Sequence, residues 1–425
     1  MKKRYWRIRR IQKPVLLCCS LWLLWGMDAS AEVKISSQGE LGIEARLFTG
    51  GGEGDQGNVS GIGRLSLSGK SKPFKFKFRG FIRHDGVDRT RSAIFPEEAW
   101  VEYREKGLRF RAGYQLLNWT ATEAFHPADV INSRYFDGNV QNPEKLGELI
   151  LSLRLKIGNG NIEGFLMPLF TEPILPSTQS RFRFSPFGSE VTNTLILDRD
   201  GELTETKVHP NWGVRLSQTL GKADVSMHVL QQTDKSLPQV RFESLPPTSP
   251  PNLVFQQVTQ VGGTYQQALG TFLLKFEGAY RWFVDSNDPT FAGLSDFGLV
   301  AGGVEWGFGH ESGGESTFLL EGQSIFGQGD ADLTFFLFER DVLLGYRYAH
   351  GDESDQSLTL SSIVDLDDPE QIFGNAEYGR RLGDSWRLSA GFRLIRYPAS
   401  EDSAPVGPEN LNNANYVYTT LLRYF

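Results

Sequence analysis

The chain has 425 residues, with 44 basic against 51 acidic side chains and a net charge of −7, a balance that speaks against a nucleic-acid partner. Its two cysteines, Cys18 and Cys19, lie side by side near the N-terminus, so the rest of the chain has neither a disulfide framework nor a thiolate metal site. The 30 Phe, 13 Tyr and 9 Trp, alongside 46 Gly, are too many aromatics for a disordered chain.

Residues 1–31 read as a secretory signal, cleaved before Glu32. Lys2, Lys3, Arg4, Arg7, Arg9, Arg10 and Lys13 form the basic start, Val15 to Met27 the apolar core, and Ala29-Ser30-Ala31 the small residues of a cleavage site. Arg9-Arg10 lacks the rest of a twin-arginine signal, and Leu16-Leu17 before Cys18 lacks the small residue of a lipoprotein site. Residues 32–425 then carry 37 basic and 50 acidic residues, a net −13. No later run reaches the roughly 18 apolar residues that a spanning helix needs.

Strict alternation follows. Phe74, Phe76 and Phe78 alternate with Lys75, Lys77 and Arg79, so a strand here has one aromatic and one cationic face. Leu108, Phe110, Ala112 and Tyr114 alternate with Arg109 and Arg111, and Leu149 to Ile157 with Ser152, Arg154 and Lys156. The pattern returns around Arg215, around Lys275, Glu277 and Arg281, and around Arg387 and Arg393. Period two over many segments of about ten residues predicts a membrane barrel with apolar side chains toward lipid and charge toward a wet lumen. The connections alternate in length: tight turns at Lys106-Gly107, Gly221-Lys222 and Gly383-Asp384, long stretches at 49–58, 85–96, 115–145, 169–207, 234–254, 284–296 and 398–411. The expected fold is all-β, a single transmembrane antiparallel β-barrel over residues 32–425. It has about 18 strands (16 being the alternative, because 327–370 parses poorly), short periplasmic turns and long extracellular loops. Tyr416 to Phe425 form an aromatic last strand, although Arg423 stands where an aromatic is usual.

The 115–145 segment shows no periodicity and is long for a connection. Trp119, Phe125, His126, Asp129, Asn132, Arg134 and Tyr135 suit a constriction inside the pore. An ordinary extracellular loop over lipopolysaccharide is the competing reading.

From Arg109 to Phe170 the chain resembles large, uncharacterised barrels related to alginate-export-type channels. The residues that carry the likeness are Gly113-Tyr114-Gln115, Asn118-Trp119, Pro127-Ala128-Asp129-Val130-Ile131-Asn132 and, near the C-terminus, Arg380 to Trp386. Tyr114 departs from that pattern, which has Arg there. The resemblance implies an outer-membrane channel for a polar or charged solute that works as a single chain, with the loop after Trp119 folding into the pore.

The alternation assigns Lys75, Lys77, Arg79, Arg83, Arg109, Arg111, Arg154, Lys156, Arg215, Arg281 and Arg393 to the pore lining, with Arg46, Lys275, Arg347 and Arg387. It assigns fewer acids: Glu44, Glu98, Glu102, Glu277, Glu321 and Glu377. A cationic, low-dielectric channel concentrates anions, so the expected function is passage of small polar, anionic solutes or a polyanionic product. Arginines that pair with glutamates merely to hold the barrel's shape are the plainer alternative. A non-conducting structural or assembly barrel and a barrel hydrolase are the other function classes. His310-Glu311-Ser312, His84-Asp85 and His126 with Asp129 are the acid–base groupings. None has the spacing of a nucleophile elbow or a zinc helix, so the chain reads as a non-enzyme without cofactor or metal. Its expected partners are outer-membrane lipid and lipopolysaccharide, the barrel-assembly machinery through the C-terminal strand, and a small anionic solute.

Overall fold

The computed structural model describes residues 34–50, 56–139, 143–183, 191–236, 238–243, 250–311, 313–327, 337–398, 408–412 and 414–425; the expected signal segment lies outside them. Eighteen antiparallel strands close into one barrel. In chain order they are Lys34–Phe48, Gly57–Ser71, Phe74–Asp85, Ala93–Glu105, Leu108–Gln115, Glu148–Ile157, Gly160–Met167, Asn211–Leu220, Ala223–Thr233, Asn252–Leu269, Phe272–Phe283, Phe297–Gly309, Gly314–Phe326, Asp341–His350, Ser357–Asp365, Ile372–Leu382, Trp386–Arg396 and Tyr416–Tyr424. Each pairs with its sequence neighbours, and the last pairs with the first from Glu40↔Tyr424 to Phe48↔Tyr416. Closure leaves no open edge, which is what a strand protein in hydrocarbon requires.

The pleat sorts the side chains. Leu41, Ile43, Phe78, Ile82, Phe110, Leu153, Val214, Phe276, Trp306, Phe318, Leu344 and Phe392 all lie exposed on the outer surface, and Glu44, Arg46, Arg83, Glu102, Glu163, Lys275, Glu277 and Glu321 are buried inside. An apolar skin around a charged interior is the inverse of a soluble protein and belongs in a bilayer. Trp306 stacks on Phe272 and Phe318 across neighbouring strands, with ring centroids 6.1 and 5.9 Å apart, forming part of an aromatic girdle near the tight turns.

Two local departures from ideal strand geometry matter for the interior. The Phe74–Asp85 and Ala93–Glu105 strands slip register between Arg79 and Gly80, where Arg79 faces Glu98 and Gly80 faces Pro96. The extra residue is Glu97, and this bulge turns its carboxylate inward beside Glu98. Gly113 has φ +128°, and a Cβ there would lie 2.1 Å from the Ala99 carbonyl oxygen; only glycine permits this strand crossing.

The tight connections, such as 106–107, 158–159, 221–222 and 270–271, share one rim, and the long ones, such as 116–147 and 168–210, share the other. The sorting blurs in the stretch that parsed poorly: the connections at 351–356 and 366–371 are equally long. The buried core does not lie between sheets. It lies inside the barrel, where Trp119, Val130 and Ile131 of the 116–147 segment pack on Ile150, Phe165, Met167 and Leu230 of the wall. Each such side chain contributes roughly 1.5–3 kcal/mol by leaving water.

Candidate functional site

The 116–147 segment enters the bore from the long-loop rim and meets the wall on several sides. Near its start, Asn132 fixes the entry: its amide donates to the carbonyls of Gln115 and Leu146, both at 2.9 Å, and its oxygen accepts from Leu117 N at 2.8 Å. Trp119 then lies between Phe165 and His228, with centroids 5.5 and 4.9 Å away, and the Arg215 guanidinium sits over it at 4.9 Å. Residues 121–128 reach the wall formed by Phe272–Phe283 and Gly314–Phe326, where Glu277 and Glu321 accept their backbone N–H groups. The segment returns past Gln232 and Lys235, which donate to the Val130 and Ile131 carbonyls.

Its second half is held by charge. Asp137 meets Arg83 at 2.5 Å and Arg46 at 3.3 Å, and Tyr416 donates to the Gly138 carbonyl at 3.3 Å. Burial alone would raise the Asp137 carboxyl, but Arg83, Arg46 and Arg91 hold it well below the ordinary carboxylate range. Residues beyond the next wall hairpin add a second layer: Ile174 bridges to Tyr135, and Phe182 packs on Phe48 and Tyr416.

All eleven wall cations expected in the lining fall on the inner face, but their surroundings differ. Arg83 and Arg281 do not border an open bore: they are 7% and 5% exposed, covered by loop residues and tied to Asp137 and Asp234. Lys77 pairs with Glu98, Arg79 with Glu97 at 2.7 Å, and Arg111 with Glu102 at 2.6 Å while stacking over Trp100 at 4.0 Å. Arg109 lies 3.8 Å from Glu102 and 3.5 Å from Glu163, and Arg154 is paired with the other Glu163 oxygen. Arg393 has only a marginal contact with Glu377, at 4.0 Å. Lys75, Lys156 and Arg215 form no ion pair among the described residues. The register puts Arg109 opposite Arg154, Arg154 opposite Glu163, Glu163 opposite Arg215 and Arg215 opposite His228. Three guanidiniums thus occupy one cross-strand row with a single carboxylate among them.

The inner face also carries acids that the alternation did not assign. Glu40 and Glu97, joined by Glu144 of the 116–147 segment, bind Arg64, itself an unassigned inner cation, Glu163 serves Arg154, and Glu305 serves Lys275. Glu148 at the rim is paired with Lys235. The cationic excess read from the sequence is therefore smaller than expected overall and is concentrated in the arc from Phe74–Asp85 to Asn211–Leu220.

The loop residues divide in the same way. Trp119 and Asn132 are buried packing and positioning groups. Asp129 is engaged by Lys145 and by Arg134 at 3.4 Å. His126 keeps an unpartnered, buried Nδ1, and burial drives its pKa down to about 4, so the ring is neutral near pH 7. Glu123 points to the far wall, 2.9 Å from Lys275 and 2.5 Å from Arg347.

Of the acid–base groupings read from the sequence, Asp85 is paired with Arg91 at 2.5 Å rather than with His84. Asp129 is taken up by cations, and Ser312 lies outside the described residues. His310 instead bonds Ser316 Oγ at 2.7 Å, which also bonds Tyr346 at 3.0 Å. Among the described residues no three His, Cys, Asp or Glu side chains are grouped to hold a metal.

No protein-family model and no curated protein sequence matches the chain. Solved structures do. A BenF-like porin from Pseudomonas fluorescens Pf-5 aligns over 93% of this chain and 98% of its own, at 9% identity and a TM-score of 0.51. OpdO of Pseudomonas aeruginosa aligns over 93% and 96%, at 10% identity and a TM-score of 0.50. The shared feature is the fold, that of a bacterial outer-membrane porin, and the outer membrane is where such a barrel resides.

Proposed function

We propose that the chain is an outer-membrane channel for small polar, anionic solutes, narrowed by the 116–147 segment. The observation that carries this reading is the transverse asymmetry of the inner wall. On one side Lys75, Arg104, Arg109, Arg111, Arg154, Lys156 and Arg215 face Glu102 and Glu163. On the other side Glu277, Glu305 and Glu321 face Lys275, Arg281 and Arg347, and the loop acids Asp234 and Glu123 take up Arg281 and Arg347. Uncompensated guanidiniums in a confined path raise the local anion concentration and grip carboxylate or phosphate in two-point contacts. The resemblance of Arg109–Phe170 to alginate-export-type channels implies a channel for a polar or charged solute, which is compatible with this reading. Lipopolysaccharide around the long loops and the barrel-assembly machinery at the C-terminal strand complete the proposed partners.

The competing reading, a closed structural barrel, draws on the depth to which Trp119, Val130 and Ile131 pack against the wall. Planar-bilayer recording separates the two. The refolded chain from Glu32 should give small open steps, and deletion of residues 120–140 should enlarge them. A chain silent with and without that deletion would refute the channel.

A further inference from the structure

The contact between residues 121–128 and the far wall has an unusual chemistry. Glu277 accepts from Ala121 N, from Thr122 N at 2.9 Å, from Thr122 Oγ1 at 2.8 Å and from Ala128 N at 3.3 Å. Glu321 accepts from Glu123 N at 2.8 Å and from Ala124 N at 3.0 Å. The two carboxylates are 0% and 1% exposed, and neither forms an ion pair with a basic side chain among the described residues. A buried carboxylate without a cation is costly unless other dipoles meet its charge. Here the dipoles are successive backbone N–H groups of the loop, an arrangement that cradles anions. The wall therefore needs the loop as much as the loop needs the wall.

We infer that Glu277 and Glu321 form a latch, positioning residues that hold residues 121–128 across the bore and so set the width of the path. The inference rests on the channel reading for its effect on conduction, but the latch itself does not. Each carboxylate presents only acceptors to the loop's donors; a glutamine in its place turns an NH2 group toward them. Charge-assisted bonds of this kind are the stronger class, and losing several at once releases the segment.

Residues 32–425 contain no cysteine, so A124C, at a site 9% exposed, gives a single thiol reporter in the refolded chain from Glu32. In E277Q/E321Q its reaction with a charged maleimide should quicken about tenfold or more, the scale of one to two lost charge-assisted bonds, and single-channel conductance should rise. The E277D/E321D pair should restore slow labelling. T122V, which removes one donor from the loop side, should give a smaller change of the same sign should the double variant fail to fold. Unchanged labelling in folded E277Q/E321Q overturns the latch, even when the wild type conducts anions. Faster labelling with every variant silent in the bilayer supports the latch and removes the channel.

Discussion

Lys235 Nζ lies 2.6 Å from the Glu148 carboxylate, and the two side chains are 2% and 0% exposed. Lys235 also donates to the Ile131 carbonyl at 2.9 Å, while Glu148 accepts from Ser133 N at 3.2 Å and from Thr171 Oγ1 at 2.9 Å. One ion pair thus joins the 234–251 connection, the 116–147 segment and the barrel wall. Breaking it from one side strands a buried charge. K235M should lower stability by about 3–5 kcal/mol, and the double variant E148Q/K235M should recover most of that. Urea midpoints of the detergent-solubilised barrel, compared across the three proteins, check both halves of the claim.

Acid should loosen the segment inside the bore in two steps. His126 is held neutral down to about pH 4, from an ordinary value of 6.5. Between those values the released loop binds a proton that the packed loop refuses, so falling pH favours release. Asp137 adds a lower step. Its carboxyl is held below the ordinary 3.8, so its stabilisation is present above that value and is lost as the pH falls further. Protease sensitivity of residues 116–147, followed from pH 7 to pH 3, should therefore rise in two stages. H126Q should abolish the upper stage and leave the lower one.

The two faces of the wall should respond oppositely to charge. Leu153 is 46% exposed on the outer surface, with Phe110 and Gly164 as its cross-strand neighbours. L153R should cost about 2–4 kcal/mol if the site lies near the bilayer midplane. K156L, on the inner face of the same strand, should leave folding into lipid vesicles nearly unchanged. Heat-modifiable gel migration reports the folded fraction for each.

Gly113 should tolerate no side chain. G113A sets a Cβ 2.1 Å from the Ala99 carbonyl oxygen at a φ of +128°, so the strand must shift or unpair. Refolding yield should fall sharply, whereas G164A, where a Cβ meets nothing within 4 Å, should refold like the parent.

The wall was legible because a pleat leaves each residue one of two faces, so Lys75, Arg109 and Arg154 are placed by parity alone. Parity fails at a bulge, which is why Glu97 escaped notice although it binds both Arg64 and Arg79. Glu163 was missed for another reason: its strand, Gly160–Met167, is short, and Gly164 interrupts the apolar face. The segment after Gln115 stood out by its length and aromatics, but its path could not be read. Glu277 and Glu321 hold it through backbone N–H groups, which carry no side-chain signature, and across some 150 to 200 residues of sequence. Pairing also altered the electrostatics, because counting arginines by strand leaves out the loop acids Asp137, Asp234 and Glu123 that turn in to meet them.

Selectivity is the central claim, and the reversal potential of the refolded chain across a KCl gradient tests it most directly. A potential on the chloride side, moved toward zero in R154Q/R215Q, is the predicted result. A potential on the potassium side in the wild-type barrel would contradict it.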